Sequence, residues 1–364
     1  MLERQFERKL NLEKRLKQHR IPGIGISAFS DSCVNWSFSM GVVESGTKIK
    51  VNKDTLFNGC SISKMVSCLG VLRLAQHGIV NLEEDVNKYL KSWKVNENSF
   101  TDKKKVTLLN LLAHQSGFID PDGSFEAFNK NDIYPSLANI LAGKTSYNSE
   151  NLYVKYEPET EFIYSDAGFC IIEQIIEDVT GKTFSVAMEH LIFKPLGLRR
   201  TFFWKYSDNE ILKRMNIKRC DIGVGHTANG LPIEGKQVHY PNLAGSGIWS
   251  TPAEMAIITI EIIKAWNGEY SSILCQESAC KMLAGFGCDK FVGLGIFVPQ
   301  KNGKLAMVSK GWGVGFQSIL IADPNLKRGV IVMINSDPGK PQEESLIGEI
   351  INEINDFYGW SLFL

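Results

Sequence analysis

No stretch of this 364-residue chain holds the uninterrupted apolar core of about seven residues that an export signal requires. None approaches the roughly 18 apolar residues of a membrane span, so a cytoplasmic protein without a membrane partner is expected. Charge bias is missing as well: 40 Lys and Arg balance 40 Asp and Glu, and the longest like-charge run is Lys103-Lys104-Lys105. A nucleic-acid partner, which needs clustered positive charge, is thereby disfavoured. The histidines (19, 77, 114, 190, 226, 239) never fall into H-E-x-x-H or a comparable spacing, so no metal is expected. No cofactor is expected either, because Gly311, Gly313 and Gly315 do not open a helix after a strand as a dinucleotide fingerprint does. The eight cysteines contain no C-x-x-C pair and read as free thiols. There is no G-x-S-x-G nucleophile elbow, the nearest imitation being Gly245-Ser246-Gly247. Internal repeats and low-complexity tracts are absent.

What is present is enough apolar sequence for a large core and roughly two domains. Met1 to Arg20 spaces Leu2, Phe6, Leu10, Leu12 and Leu16 among charges and reads as an amphipathic surface helix. Gly23–Phe29 and Val34–Met40 have the composition of strands around a polar turn at Asp31-Ser32. Near the other end, Phe291–Val298, Leu305–Ser309, Gln317–Ala322 and Gly329–Ile334 read as further strands, and Glu343–Tyr358 as a closing helix. The middle is helix-rich. Its candidates are Ser61–Gln76, Thr107–His114, Pro135–Leu141 and Ala167–Thr180, with a start at Thr251-Pro252-Ala253-Glu254 in which the glutamate is placed to cap back. The expected fold class is α/β (α+β), an antiparallel sheet built from both chain ends and flanked by the terminal helices. Residues 1–58 plus 285–364 form the sheet domain, 59–284 an inserted, mostly helical domain, and the cleft between them holds the site.

Ser61-Ile62-Ser63-Lys64 opens a helix, and residues three apart share a face, so the Lys64 side chain reaches the Ser61 hydroxyl. A serine needs such a neighbouring base to become a nucleophile. The same four letters also describe an ordinary solvated helix start. Two more segments accompany them: Tyr164-Ser165-Asp166 ahead of the 167–180 helix, and Ser309-Lys310-Gly311-Trp312-Gly313 between strand-like stretches.

That order of Ser-x-x-Lys, Tyr-Ser-x and a glycine-containing strand motif resembles the serine β-lactamase-like superfamily, specifically its class C branch. The branch takes in β-lactamases, D-alanyl-D-alanine carboxypeptidases, D-aminopeptidases and family VIII esterases, and the similarity runs from about Ile24 to Trp360. It includes the framework segments around His114, Tyr240–Gly247 and Val332–Asp337. The resemblance implies a β-lactamase/transpeptidase-like fold with Ser61 as nucleophile, Lys64 and Tyr164 as its proton-handling partners, and backbone N–H groups of Ser61 and Trp312 as oxyanion donors. Asp166, Ser309 and Gly311 fall at substrate-binding positions. His114 is expected to be structural.

Two departures modify that picture. Asp166 stands where asparagine is usual, adding charge and losing a donor, and would hold Lys64 protonated through a salt bridge. Ser309 stands where lysine or histidine is usual, and Lys310, the next strand residue, is expected to face away from the site. Without a cation for a substrate carboxylate, a small neutral ester, amide or lactone is favoured over penicillins and D-Ala-D-Ala peptides. An esterase or amidase is thus the leading reading. A β-lactamase or D-amino-acid peptidase, an acyltransferase, and a catalytically silent binding or scaffold protein remain open, as does the oligomeric state.

Overall fold

A computed structural model describes residues 10–126, 128, 132–205 and 209–363. The first expected helix runs Leu12–Gln18, with Leu10, Leu12 and Leu16 buried, while Leu2 and Phe6 lie outside the described residues. Strands β1 (Gly23–Ser30) and β2 (Cys33–Gly41) form a hairpin in which both turn residues, Asp31 and Ser32, have positive φ. This is the turn geometry whose twist matches that of paired strands. Three short strands, β3 (Phe57–Asn58), β4 (Phe202–Phe203) and β5 (Ile248–Ser250), pair in the order β3-β5-β4. A small hairpin joins β6 (Gln300–Lys301) to β7 (Lys304–Leu305).

The principal sheet is completed by β8 (Met307–Gly313), β9 (Phe316–Asp323) and β10 (Arg328–Ile334), all antiparallel in the order β2-β1-β10-β9-β8. The two chain ends meet at the β1–β10 pairing, where Ile26 stands opposite Val332. Side-chain alternation divides the sheet between two cores. Ile319, Ile321, Val330, Val332 and Ile334 face the first helix and the last, Leu346–Tyr358. Leu320, Ala322, Ile331 and Met333 face the larger core built with the Ile62–Gln76 and Pro252–Trp266 helices. Burial on both faces explains why these strands read as near-continuous apolar runs. Each fully buried aliphatic side chain contributes about 1.5–3 kcal/mol. Among the described residues, no helix is long and apolar enough to cross a membrane.

Three expectations need correction. Phe291–Val298 is not a strand: only isolated bridges link Val292 to Phe297 and Phe297 to Val308. Gly295, at φ +68°, turns the segment onto the helix that begins after Ser61, where a Cβ would stand 2.7 Å from Cys68 Cβ and 2.9 Å from the Lys64 carbonyl. Leu305–Ser309 is also not one strand, because β7 ends at Leu305 and β8 begins at Met307 and carries the whole Ser309–Gly313 motif. Glu254 does not cap back to Thr251. Thr251 does accept the Glu254 N–H, but the Glu254 carboxylate accepts the N–H groups of Arg199 and Arg200 and the Thr201 hydroxyl at 2.6–3.0 Å. These tertiary donors win over the local one.

Candidate active site

Strand β3 delivers the chain into a tight turn at Gly59-Cys60, fixed by the Gly59 N–H on the Ile248 carbonyl (2.9 Å) and by the Asn58 carboxamide on the Cys60 N–H (2.7 Å). Cys60 takes φ +47°, a left-handed conformation that non-glycine residues rarely adopt, immediately before Ser61. Ser61 is the residue ahead of the Ile62–Gln76 helix, yet its hydroxyl does not cap that helix. Lys64 Nζ, nearly buried, lies 3.2 Å from Ser61 Oγ and donates to Asp166 Oδ1 at 2.6 Å and to the Gly245 carbonyl at 3.0 Å. Among the described residues no group accepts the Ser61 N–H.

Tyr164 and Asp166 come from the entry to the Asp166–Thr180 helix. The Tyr164 ring stacks on His114, centroids 4.3 Å apart and planes at 25°, and Lys64 Nζ is 4.9 Å from its centroid. Tyr164 is 39% exposed as a residue, but its hydroxyl is turned toward Lys64 and Ser61, and there burial, with the Asp166 charge, pushes it upward more than the Lys64 charge and hydrogen bonding to Lys64 and Ser61 pull it down. Burial works against the Lys64 ammonium, but the Asp166 charge and then Tyr164 outweigh it and hold the lysine above its ordinary range. Both directions favour the protonated forms, so the resting site holds Lys64 as an ammonium and Tyr164 as a neutral phenol. Burial, and secondly Lys64, pushes His114 down to about 3. The neutral ring accepts the Ser165 N–H at Nδ1 (3.1 Å), which makes His114 a positioning residue for Tyr164.

Two groups that support the site carried no sequence signal. Asp120 accepts from Ser165 Oγ (2.7 Å) and from the N–H groups of Asp166 (2.7 Å) and Ala167 (3.0 Å), pinning the helix start that aims Asp166. Such a helix terminus favours a carboxylate, but this one arrives from 45 residues upstream in sequence. Glu173 accepts the Ala244 N–H at 2.8 Å and so holds the turn that offers the Gly245 carbonyl to Lys64. Glycine and serine spacing reveals neither.

The third motif lies on β8, the open edge of the sheet. Gly311 is packed so tightly that a Cβ would stand 2.1 Å from the Gly59 carbonyl, and at Gly313 it would stand 3.1 Å from Cys60 Sγ. Ser309, on the same face as these glycines, is buried and shares with Ser61, Lys64, Tyr164, Ile296 and Phe297 a cavity of about 20 Å³, enough for a water molecule. Lys310 also borders this cavity, but strand alternation turns its side chain to the other face, where its ammonium pairs with Glu343. Trp312, also on that face, is neither core nor cavity wall: it is 43% exposed and donates its indole N–H to Asp337 Oδ1 at 2.7 Å. Burial, and secondly the Asp337 carboxylate, raises the Cys60 thiol against the Lys64 charge.

A family model described as Beta-lactamase matches residues 9–350. Protein flp of Staphylococcus aureus (strain N315) is 24% identical over 352 residues, 94% of this chain, and the chain spans only 65% of that protein's length. Among solved structures, the octameric penicillin-binding protein homologue from Pyrococcus abyssi superposes with a TM-score of 0.75 at 21% identity, covering 97% of this chain and 77% of its own. The D-amino acid amidase from Ochrobactrum anthropi SV3, complexed with L-phenylalanine amide, gives 0.75 at 18% identity over 99% of both chains.

Proposed function

Because the chain belongs to the beta-lactamase family, we propose that it is a serine hydrolase acting through an acyl-enzyme on small esters or amides that lack a carboxylate. The reading rests on the Lys64 ammonium lying between Ser61 Oγ and Asp166. Ser61 Oγ attacks the scissile carbonyl as its proton passes to the Lys64–Tyr164 unit, and Tyr164 returns a proton to the leaving group. Water then repeats the sequence on the acyl-enzyme. The oxyanion is held by the unpaired Ser61 N–H and by that of Trp312. Gly313 and Phe316 close a two-residue hairpin, and by alternation Trp312 then directs its N–H away from β9 toward the open edge. Intact-protein mass spectrometry after fluorophosphonate treatment tests the reading: one phosphonyl adduct on Ser61 is expected, and no adduct there would overturn it.

The resting protonation state carries a consequence. Attack requires the Lys64–Tyr164 unit to lose a proton, so kcat/KM should rise through an alkaline limb. Asp166 raises both groups, and removing its charge lowers both. Asp166→Asn is therefore expected to move the limb to lower pH and to raise kcat/KM at pH 7, because more of the pair is then in the competent form. A limb that stays in place would show that Asp166 does not set the proton balance.

Exclusion of carboxylates rests on Ser309 and on Lys310, whose ammonium is taken by Glu343. Ser309→Lys is expected to raise kcat/KM for benzylpenicillin relative to an uncharged ester by roughly tenfold to a hundredfold, the worth of a charge-assisted hydrogen bond. An unchanged ratio, or rapid benzylpenicillin turnover by the unaltered protein, would return β-lactam hydrolysis to first place.

A further inference from the structure

The cavity that holds Ser61 continues into a group of aromatic rings that the chemistry so far leaves without a task. Phe297 lines that cavity together with Ser61, Lys64, His114 and Tyr164. Its ring is stacked on Phe291, centroids 5.7 Å apart and planes at 11°. Phe162, two residues before Tyr164, stands edge-on to both, 5.6 Å from Phe291 and 6.5 Å from Phe297, and edge-on to His114 at 6.1 Å. Phe162 and Phe297 are half-buried against the larger core, whereas Phe291 is 42% exposed. The rings thus form a ledge that runs from the cavity to solvent. Single exposed apolar side chains are ordinary, but three rings continuous with a reactive cavity form an apolar wall of the kind that small-molecule sites use. The cavity itself, at about 20 Å³, has room for a water molecule and not for the body of a substrate, so an apolar group attached to the reacting ester lies over the rings.

The ledge stands at the leaving-group end. Phe297 is fastened to Val308 by two backbone hydrogen bonds, its N–H on the Val308 carbonyl at 3.0 Å and the Val308 N–H on its own carbonyl at 2.9 Å. Trp312, whose N–H is assigned to the oxyanion, is further along β8, about 13 Å from Val308 at roughly 3.3 Å per strand residue. The carbonyl oxygen is therefore directed toward the Trp312 end. Tyr164, which returns the proton to the leaving group, shares the cavity with Phe297 at the Val308 end.

We infer that Phe162, Phe291 and Phe297 form a leaving-group subsite, so that the preferred substrates are esters or amides of an aryl-bearing alcohol or amine. The inference rests on the reading of Ser61 as nucleophile, and it names the part of the substrate that this chain selects. Ser309, buried in the same cavity, adds no charge there, which suits an uncharged aryl group.

3-Phenylpropyl acetate and propyl acetate share an acyl group and a primary alcohol whose reactivity the distant phenyl leaves unchanged, so the ratio of their kcat/KM values reads contact with the ring. That ratio is expected to be about tenfold in the unaltered protein. Phe291→Ala should lower it to about threefold or less, because the exposed ring is the one a substrate covers. Both esters report on the same folded population, so a loss of folding cannot mimic that change. Propyl 4-phenylbutanoate against propyl butanoate places the phenyl on the acyl side, and Phe291→Ala should leave this second ratio unmoved. A ratio near one for the acetates, a ratio that Phe291→Ala does not lower, or a fall in the butanoate ratio as large as that in the acetate ratio would overturn the subsite. Saturation-transfer difference NMR with 3-phenylpropan-1-ol, the alcohol released, reads the ledge without turnover. Transfer to the phenyl protons that weakens in Phe291→Ala supports the subsite even if no ester is hydrolysed, in which case the nucleophile reading has failed. Transfer equal in both proteins, or absent from both, counts against it.

Discussion

Ser61→Ala is expected to lower hydrolysis of p-nitrophenyl acetate by at least about a thousandfold, the scale on which serine hydrolases lose turnover when the nucleophile is removed. The fold should survive. The hydroxyl caps nothing, and Lys64, 3.2 Å from it, keeps the Asp166 carboxylate and the Gly245 carbonyl when the hydroxyl is gone. The change in stability should thus stay within about 1 kcal/mol, the net worth of one hydrogen bond. Urea unfolding of both proteins, beside steady-state assays, separates the two effects. Full activity in the alanine variant would move the nucleophile elsewhere. Lost activity with a strongly lowered unfolding midpoint would mean that Ser61 matters for the structure and would leave the chemistry to be carried by another group.

The reach of sequence reasoning followed the range of the interactions involved. Ser61 and Lys64 are one helical turn apart, so their meeting could be read from spacing, and the outward turn of Lys310 followed from strand alternation. The pairing of the two chain ends in one sheet followed from having apolar strands only at those ends. What escaped was contributed across long stretches of chain. Asp120 and Glu173 act on the backbone of Asp166 and Ala244, and a carboxylate that serves a distant N–H looks in sequence like any other acidic residue. The Phe291–Val298 segment failed for a different reason. Val292, Leu294, Ile296 and Val298 are buried in the larger core rather than in a sheet, and composition cannot separate those environments; the glycines at 293 and 295 were the available sign. Glu254 shows the same limit on a smaller scale, since its local capping pattern is intact and three donors from Arg199–Thr201 claim the carboxylate.

Lys64→Ala and Tyr164→Phe should each lower kcat/KM by roughly a hundredfold to ten-thousandfold, the range contributed by a positioned proton carrier. Tyr164→Phe is the cleaner change, because the ring stacked on His114 remains and only the hydroxyl facing Lys64 and Ser61 is lost. Lys64→Ala also leaves the Asp166 carboxylate without its ammonium, so its unfolding midpoint must be measured alongside its activity. If the two side chains share one proton, disabling either disables the unit, and the double variant should be little worse than the poorer single one. The alkaline limb carries the same logic: burial raises the Tyr164 hydroxyl and Asp166 raises Lys64 against its own burial, so both are protonated at rest and activity grows as the pair gives up its proton. Tyr164→Phe should therefore flatten that limb as well as lower it. Losses that multiply in the double variant, or an unchanged limb in the phenylalanine variant, would show that Lys64 and Tyr164 work separately and that the proton leaving Ser61 takes another route.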